Sequence, residues 1–347
     1  MMRLFAVILS LLLYVMAPVD YVYGHHAVVS GLGTGRSGPI TTASAGPVSV
    51  GGFFSDIRTD LIQFRRFTDS QLLSFAQEDQ HVDSTDFTLT SSIGVAYGAM
   101  EHLTVGFRMP YVWQQDIREG HNDDGDVELH KEGSSAGFGD LTLYGMYRFL
   151  EDKDRDIHIA GILGVSVPTG ETTKRTDLGT RFETEHQPGS GSWDPMAGLA
   201  FTKHWGGLSL SSNVLYIYTT PGAQRTVLGD SFEYNLALSY RVGKEKHVHN
   251  HSYDHGSGNK HDHGGHWHVD WDLVTELNGV WTQKQEIRGK KDDDSGGTIL
   301  YLSPGVRMLV GNHVSFTAAF LYPIQQDPNG KEHEVDYRAI VGAGVGF

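Results

Sequence analysis

The stretch VDYRAIVGAGVGF, from Val335 to Phe347, sets how the rest of the chain is to be read. Val335, Tyr337, Ala339, Val341, Ala343, Val345 and Phe347 are all apolar, while Asp336, Arg338, Ile340 and three glycines occupy the positions between them. A period of two turns one row of side chains toward an apolar medium and the other toward a polar one. Outer-membrane barrels close on such a strand, with an aromatic residue at its end.

The same alternation recurs upstream. Phe87–Tyr97, Leu103–Trp113, Leu141–Phe149, Ile157–Val167, Met196–His204, Leu208–Tyr218 and Phe232–Val242 carry it, as do Trp267–Trp281, Ile299–Val310 and Val314–Ile324. A weaker stretch at Val48–Thr59 brings the number, with the terminal strand, to twelve. One helix is expected over Asp69–Asp79, with Asp69 as N-cap and Leu72, Leu73 and Ala76 on one face. The links alternate in length. Met100–His102, Leu150–Asp156, Trp205–Gly207 and Gly311–His313 are short, whereas Gln114–Gly139, Pro168–Pro195, Thr219–Ser231, Thr282–Thr298 and Gln325–Glu334 are long and polar. Short turns at one end and long loops at the other are the habit of outer-membrane barrels, the short end facing the periplasm. The expected fold is all-β: a transmembrane antiparallel β-barrel of about twelve strands, with an irregular N-terminal arm and one short helix. Closure pairs every backbone N–H and C=O within the protein, as hydrocarbon demands.

Arg3, the uncharged run Leu4–Val15 and Val22-Tyr23-Gly24 read as a secretory signal over residues 1–24, expected to be cleaved. Residues 25–46 form the arm and 47–347 the barrel. There is no cysteine, so no disulfide staples the fold. A net charge of −15 excludes nucleic acid as a partner and leaves outer-membrane lipid and a small solute. The mean hydropathy of −0.30 looks soluble, but a barrel hides its lipid-facing half in alternation.

Alternation assigns Arg108, Arg148, Glu233, Asp270, Asp272, Glu276, Arg307 and Arg338 to the lumen. They form ion pairs that pack a narrow interior, or line a polar passage. Twelve strands enclose less than the roughly 16–18 of a general porin, so the bore is expected to be narrow or partly plugged, by the arm or by the Asp69 helix.

One link breaks the parity rule. Residues 243–266 stand where a short turn is due, on the periplasmic side. With the start of the next strand they carry His247, His249, His251, His255, His261, His263, His266 and His268, eight of the nineteen histidines. Imidazoles at this density would take zinc, copper or nickel, although the spacing matches no closed tetrahedral motif and no cofactor is required for a barrel.

The segments GFGDLTLYGMYRF (Gly137–Phe149), LGVSVPTGE (Leu163–Glu171), HQPGSGSWDP (His186–Pro195) and YLSPGVRM (Tyr301–Met308), with the terminal strand, resemble the proteobacterial outer-membrane family named for the meta-pathway of phenol degradation. The resemblance runs from about Gly38 to Phe347 and implies a barrel of about twelve strands that passes small, often hydrophobic molecules. It supplies no catalytic residues.

Two functions follow: a channel or transporter for a small solute, a hydrophobic compound or a metal ion, and a metal-handling protein that uses the histidine-rich loop. A hydrolase built on His186, Ser190 and Ser192 is the least favoured reading. Those residues share one loop, whereas a triad converges from separate elements.

Overall fold

A computed structural model describes residues 38–78, 80, 82–123, 126–242, 269–311, 313–329 and 334–347. The signal segment and all eight histidines of 247–268 lie outside the described residues.

Twelve long antiparallel strands close on themselves. They are β1 (Phe53–Phe64), β2 (Phe87–Met100), β3 (Leu103–Asp123), β4 (Leu141–Asp152), β5 (Ile157–Val167) and β6 (Asp194–Trp205). The other half consists of β7 (Leu208–Ile217), β8 (Ser231–Val242), β9 (Val269–Thr282), β10 (Gly297–Val310), β11 (Val314–Pro328) and β12 (Val335–Gly346). Each pairs with its sequence neighbours, and β1 pairs with β12 to shut the ring. The seam ends in a reciprocal pair: the Phe53 N–H donates to the Phe347 carbonyl (2.7 Å) and the Phe347 N–H to the Phe53 carbonyl (2.9 Å). Phe53 packs between Tyr97 and Phe347, with ring centroids 4.6 and 6.0 Å away.

The pleat sorts the side chains as the alternation requires. On β3, Val105, Phe107, Tyr111 and Trp113 are exposed, while Thr104, Arg108, Val112 and Gln114 between them are buried. Leu143, Leu163, Leu199, Leu238, Leu273, Phe316, Phe320 and Val341 extend the exposed apolar surface around the ring, and Trp205, Tyr240, Trp271 and Phe347 mark its short-turn rim. A continuous apolar exterior of this extent, rimmed by amphipathic aromatics, suits a bilayer.

The structure corrects several boundaries. The first strand begins at Phe53 and not at Val48, because Gly38–Val48 runs inside the barrel. The N-cap of α1 (Asp69–Gln77) is Thr68, which forms a capping box with Gln71. Residues 114–139 are a hairpin and not a loop: β3 continues to Asp123, and a strand over Asp126–Phe138 folds back along it. That extension is mostly polar, with only scattered apolar residues such as Ile117, Val127 and Leu129, so hydrophobic alternation does not reveal it. The β12 register shifts at its start, where Gln63 faces Tyr337 and Phe64 faces Val335. Asp336 is thereby turned outward, and Val335 joins a buried cluster with Phe64, Val274 and Ile299.

Candidate functional site

The interior is the candidate site, and it is occupied. Residues 38–45 of the arm are buried, and side chains from five strands hold its backbone. On β9, the Glu276 carboxylate accepts from the N–H groups of Ile40 (2.6 Å) and Thr41 (3.1 Å) and from the Thr41 hydroxyl. Asn213 on β7 accepts from Ala43 N–H (2.9 Å), Thr202 on β6 from Ala45 N–H (3.0 Å), and Thr104 on β3 from Val48 N–H (2.8 Å). Arg58 on β1 donates to the Ile40 carbonyl (3.1 Å).

The sequence GPITTASAGP suits that path. Pro39 and Pro47 have no N–H to satisfy, and the small side chains between them let the backbone approach the wall. Ala43, Ala45 and Val48 pack on an apolar patch of Met146, Ile162, Met196 and Leu215, while Ile40 packs on the opposite one.

The remaining wall is polar and paired across strands. Arg108 makes a bidentate contact with Asp56, 3.0 Å to each oxygen, and donates to Ser92 (2.8 Å). Arg241 and fully buried Asp272 pair at 2.8 and 3.0 Å. Arg338 donates to Asp60 through Nε (2.7 Å) and lies over the Tyr301 ring. Glu233 and Arg307 are buried, Asp270 is half-buried, and Arg148 bonds Glu151 (3.0 Å) near the short-turn end. Of the eight residues the alternation assigns to the lumen, Glu276 holds the arm, while Arg108, Arg148, Asp272 and Arg338 belong to ion pairs. Their partners Asp56 and Asp60 escape a reading that places the first strand too early. A signal was present, since FFSDIRTDLIQF puts Asp56, Arg58 and Asp60 on one face.

The long-loop end is covered by residues 168–193, of which 184–192 are buried or half-buried while most of 171–183 is exposed. Three segments meet on one carboxylate there. Asp140 accepts from Gly170 N–H (2.8 Å), Ser190 N–H (2.7 Å) and the Ser190 hydroxyl (2.7 Å). Gly170 and Gly189 touch so closely that a Cβ on either would lie 2.6 Å from the other's Cα. The GFGD, PTGE and PGSGSWD stretches are therefore one structural unit.

His186 is buried in the same loop. Its Nδ1 lies 3.1 Å from Gln114 Oε1 and its Nε2 3.1 Å from Asp83 Oδ2. Burial alone would lower its pKa, but the hydrogen bond and charge of Asp83, with the charges of Glu185 and Glu183, hold it up at about 10. Neither serine faces the imidazole: Ser190 bonds Asp140 and Ser192, and Ser192 bonds Asp194. The triad geometry that a hydrolase would need is not formed by these three residues.

Among the described residues the short-turn end holds a cavity of about 930 Å³ beside Ser44–Ser49, lined in part by Arg148, Glu151, His158, His204, Arg307 and His313.

Solved structures share this architecture. An outer-membrane channel from Pseudomonas putida F1 superposes with a TM-score of 0.59 at 12% identity, covering 89% of this chain and 100% of its own. The β domain of the Bordetella autotransporter BrkA gives 0.45 at 10% identity, over 86% of this chain and 100% of that one. The CymD monoaromatic hydrocarbon channel gives 0.42 at 10%, over 86% and 89%. No curated protein sequence matches the chain. The model of one family matches residues 41–266, and on that extent the chain belongs to the family described as "Putative MetA-pathway of phenol degradation".

Proposed function

We propose that the protein is an outer-membrane channel for small solutes, hydrophobic compounds among them, which conducts when the arm leaves the lumen. The observation that carries this reading is how the arm is held. Its backbone donors reach side chains on the barrel wall and not a β-ladder, so the arm can withdraw while every pair in the wall stays intact.

The apolar part of the solute class rests on the wall beneath the long loops, where Pro110, Val112, Met196, Ile217 and Leu228 face a small cavity among Thr90, Thr142 and Ser166. The family's description, which names phenol degradation, points the same way. In this reading residues 1–24 direct export, the short turns and residues 243–266 face the periplasm, and the long loops face outward. Arg108, Arg148, Glu233, Asp270, Asp272, Glu276, Arg307 and Arg338 then line the path, and their mixed charge favours neither strong anion nor strong cation selectivity.

The test is planar-bilayer conductance together with phenol uptake by cells depleted of their own porins. Small, flickering openings and faster phenol uptake are expected. A full-length protein that neither conducts nor speeds uptake, with the arm anchored or with Glu276→Ala releasing it, would end the proposal.

A further inference from the structure

We propose that Asp156, His158 and His204 form a binding site for a first-row divalent cation of the zinc class at the short-turn mouth of the barrel. This set is separate from the histidines of 247–268 and does not depend on the channel reading.

Two strand ends and a turn build it. Asp156 closes the turn between β4 and β5 in a left-handed conformation (φ 49°), which an aspartate tolerates. His158 is the second residue of β5 and points inward, 8% exposed. His204 precedes the last residue of β6, and its backbone N–H donates to the Asp156 carbonyl at 3.2 Å. The β5–β6 ladder therefore fixes all three residues in one place. Each offers one ligand atom, all within 4.8 Å of one another, and the two imidazole rings stand 6.1 Å apart at 64°. A modest contraction brings such a set to the roughly 2.0–2.2 Å at which zinc takes nitrogen and carboxylate oxygen.

The surroundings of the buried imidazole are those of a ligand histidine, with one nitrogen at the cluster and the other facing a carboxylate. His158 Nε2 lies 2.8 Å from Asp156 Oδ1, while its Nδ1 is buried with no hydrogen-bond partner. Glu151 Oε1 stands 4.0 Å from that Nδ1, and Arg148 steadies Glu151 from its other side at 3.0 Å. Ligand histidines characteristically turn their second nitrogen to a carboxylate, which sets the tautomer and orients the ring. Here Nε2 would face the cation beside Asp156, and Nδ1–H would close on Glu151. The 930 Å³ cavity leaves a fourth position open to water and gives ions a way in. Two nitrogens and one carboxylate favour zinc, nickel, cobalt or copper over magnesium or calcium.

The experiment uses the full-length chain in detergent, with the eight histidines of 247–268 changed to serine so that they do not compete. Zinc is titrated by calorimetry, and cobalt by its visible absorption. One zinc per chain is expected, with cobalt bands of low-coordinate intensity. His204→Ala should weaken zinc at least tenfold, and Glu151→Gln should weaken it while leaving the stoichiometry at one. Heat-modifiable gel mobility checks that each barrel is folded. His204→Gln, at a half-buried strand end, replaces any variant of His158 that fails this check. No zinc uptake, or uptake that His204→Ala and His204→Gln leave unchanged, overturns the site.

Discussion

At the long-loop end the lumen is covered by residues 168–193, whose buried part, 184–192, is tied down through Asp140 and His186. At the short-turn end it holds a cavity of about 930 Å³ beside an arm held at points on five separate strands, Glu276 taking three of its donors. The first closure is a charged hub in which one carboxylate satisfies three donors. The second is spread along the arm: Glu276 satisfies three donors of Ile40 and Thr41, Arg58 donates to the Ile40 carbonyl, and Asn213, Thr202 and Thr104 each accept one backbone N–H. Charge-assisted bonds are about twice as strong as neutral ones, and a hub fails as a unit. The two closures hang on different carboxylates, Asp140 and Glu276, and should yield to different substitutions.

The largest effect expected follows from removing the hub. Asp140→Ala leaves the N–H groups of Gly170 and Ser190 without their acceptor, at a local cost on the order of 3 kcal/mol. Trypsin should then cut at Lys174, Arg175 or Arg181 in the folded barrel at least tenfold faster than in wild type. If the cleavage rate stays put, Asp140 is not what holds the loop.

Next is the arm. Glu276→Ala removes the acceptor for Ile40 and Thr41, which should raise single-channel conductance several-fold and leave trypsin cutting of 168–193 unchanged. Should both readouts move together, the two closures would be one device and the comparison would be broken.

The long-loop end should also respond to pH. His186 is held at about 10 in the folded state, above the roughly 6.5 of an unfolded histidine. Its contribution is therefore complete below about pH 6.5 and drains away as pH rises toward 10. Glu185, pushed up to about 8 chiefly by burial, loses stability in the same direction as pH climbs from its unfolded value. Loop cleavage at pH 9.5 should exceed that at pH 7 several-fold, measured with a protease active at both. In His186→Gln the step should shrink. An unchanged pH profile in that variant would remove His186 from the account.

The barrel was legible because lipid enforces alternation on every strand, from Phe87 to the terminal Phe347, and because turn lengths keep parity. The notional start at Val48 is too early because Gly38–Ser49, a mix of small, apolar and hydroxyl residues, carries no period of its own. Its role appears only when Glu276, Asn213, Thr202 and Thr104, far apart in the chain, are seen on one path. The hub was half visible. The glycine-rich stretches around Asp140, Gly170 and Ser190 stood out singly, but nothing in their spacing says that they meet. The Asp156–His158–His204 group was hidden more fully, because a short turn and a neighbouring strand supply it and the eight histidines of 247–268 dominate any search for ligands.

The smallest effect expected separates two layers of the long-loop end itself. The α1 helix lies over β3, where Leu72 and Ala76 close on Gly120: a Cβ there would meet the Leu72 carbonyl oxygen at 2.3 Å. Asp69 in its first turn pairs with Arg118 of β3 and with Lys131 of the returning strand, so the helix is fastened to the hairpin and not to the inward loop. Thr68 accepts from Gln71 N–H at 3.3 Å and donates its own N–H to Gln71 Oε1 at 2.9 Å. Thr68→Ala breaks the first of these bonds and should cost about 1 kcal/mol, which hydrogen exchange reads as faster opening of Gln71 and Leu72. Trypsin cutting at Lys174–Arg181 should not change, because the hub at Asp140 makes no contact with the cap. If loosening the helix also frees residues 168–193, the helix and the loop form one cooperative lid, and the charged hub alone does not explain why this end is shut.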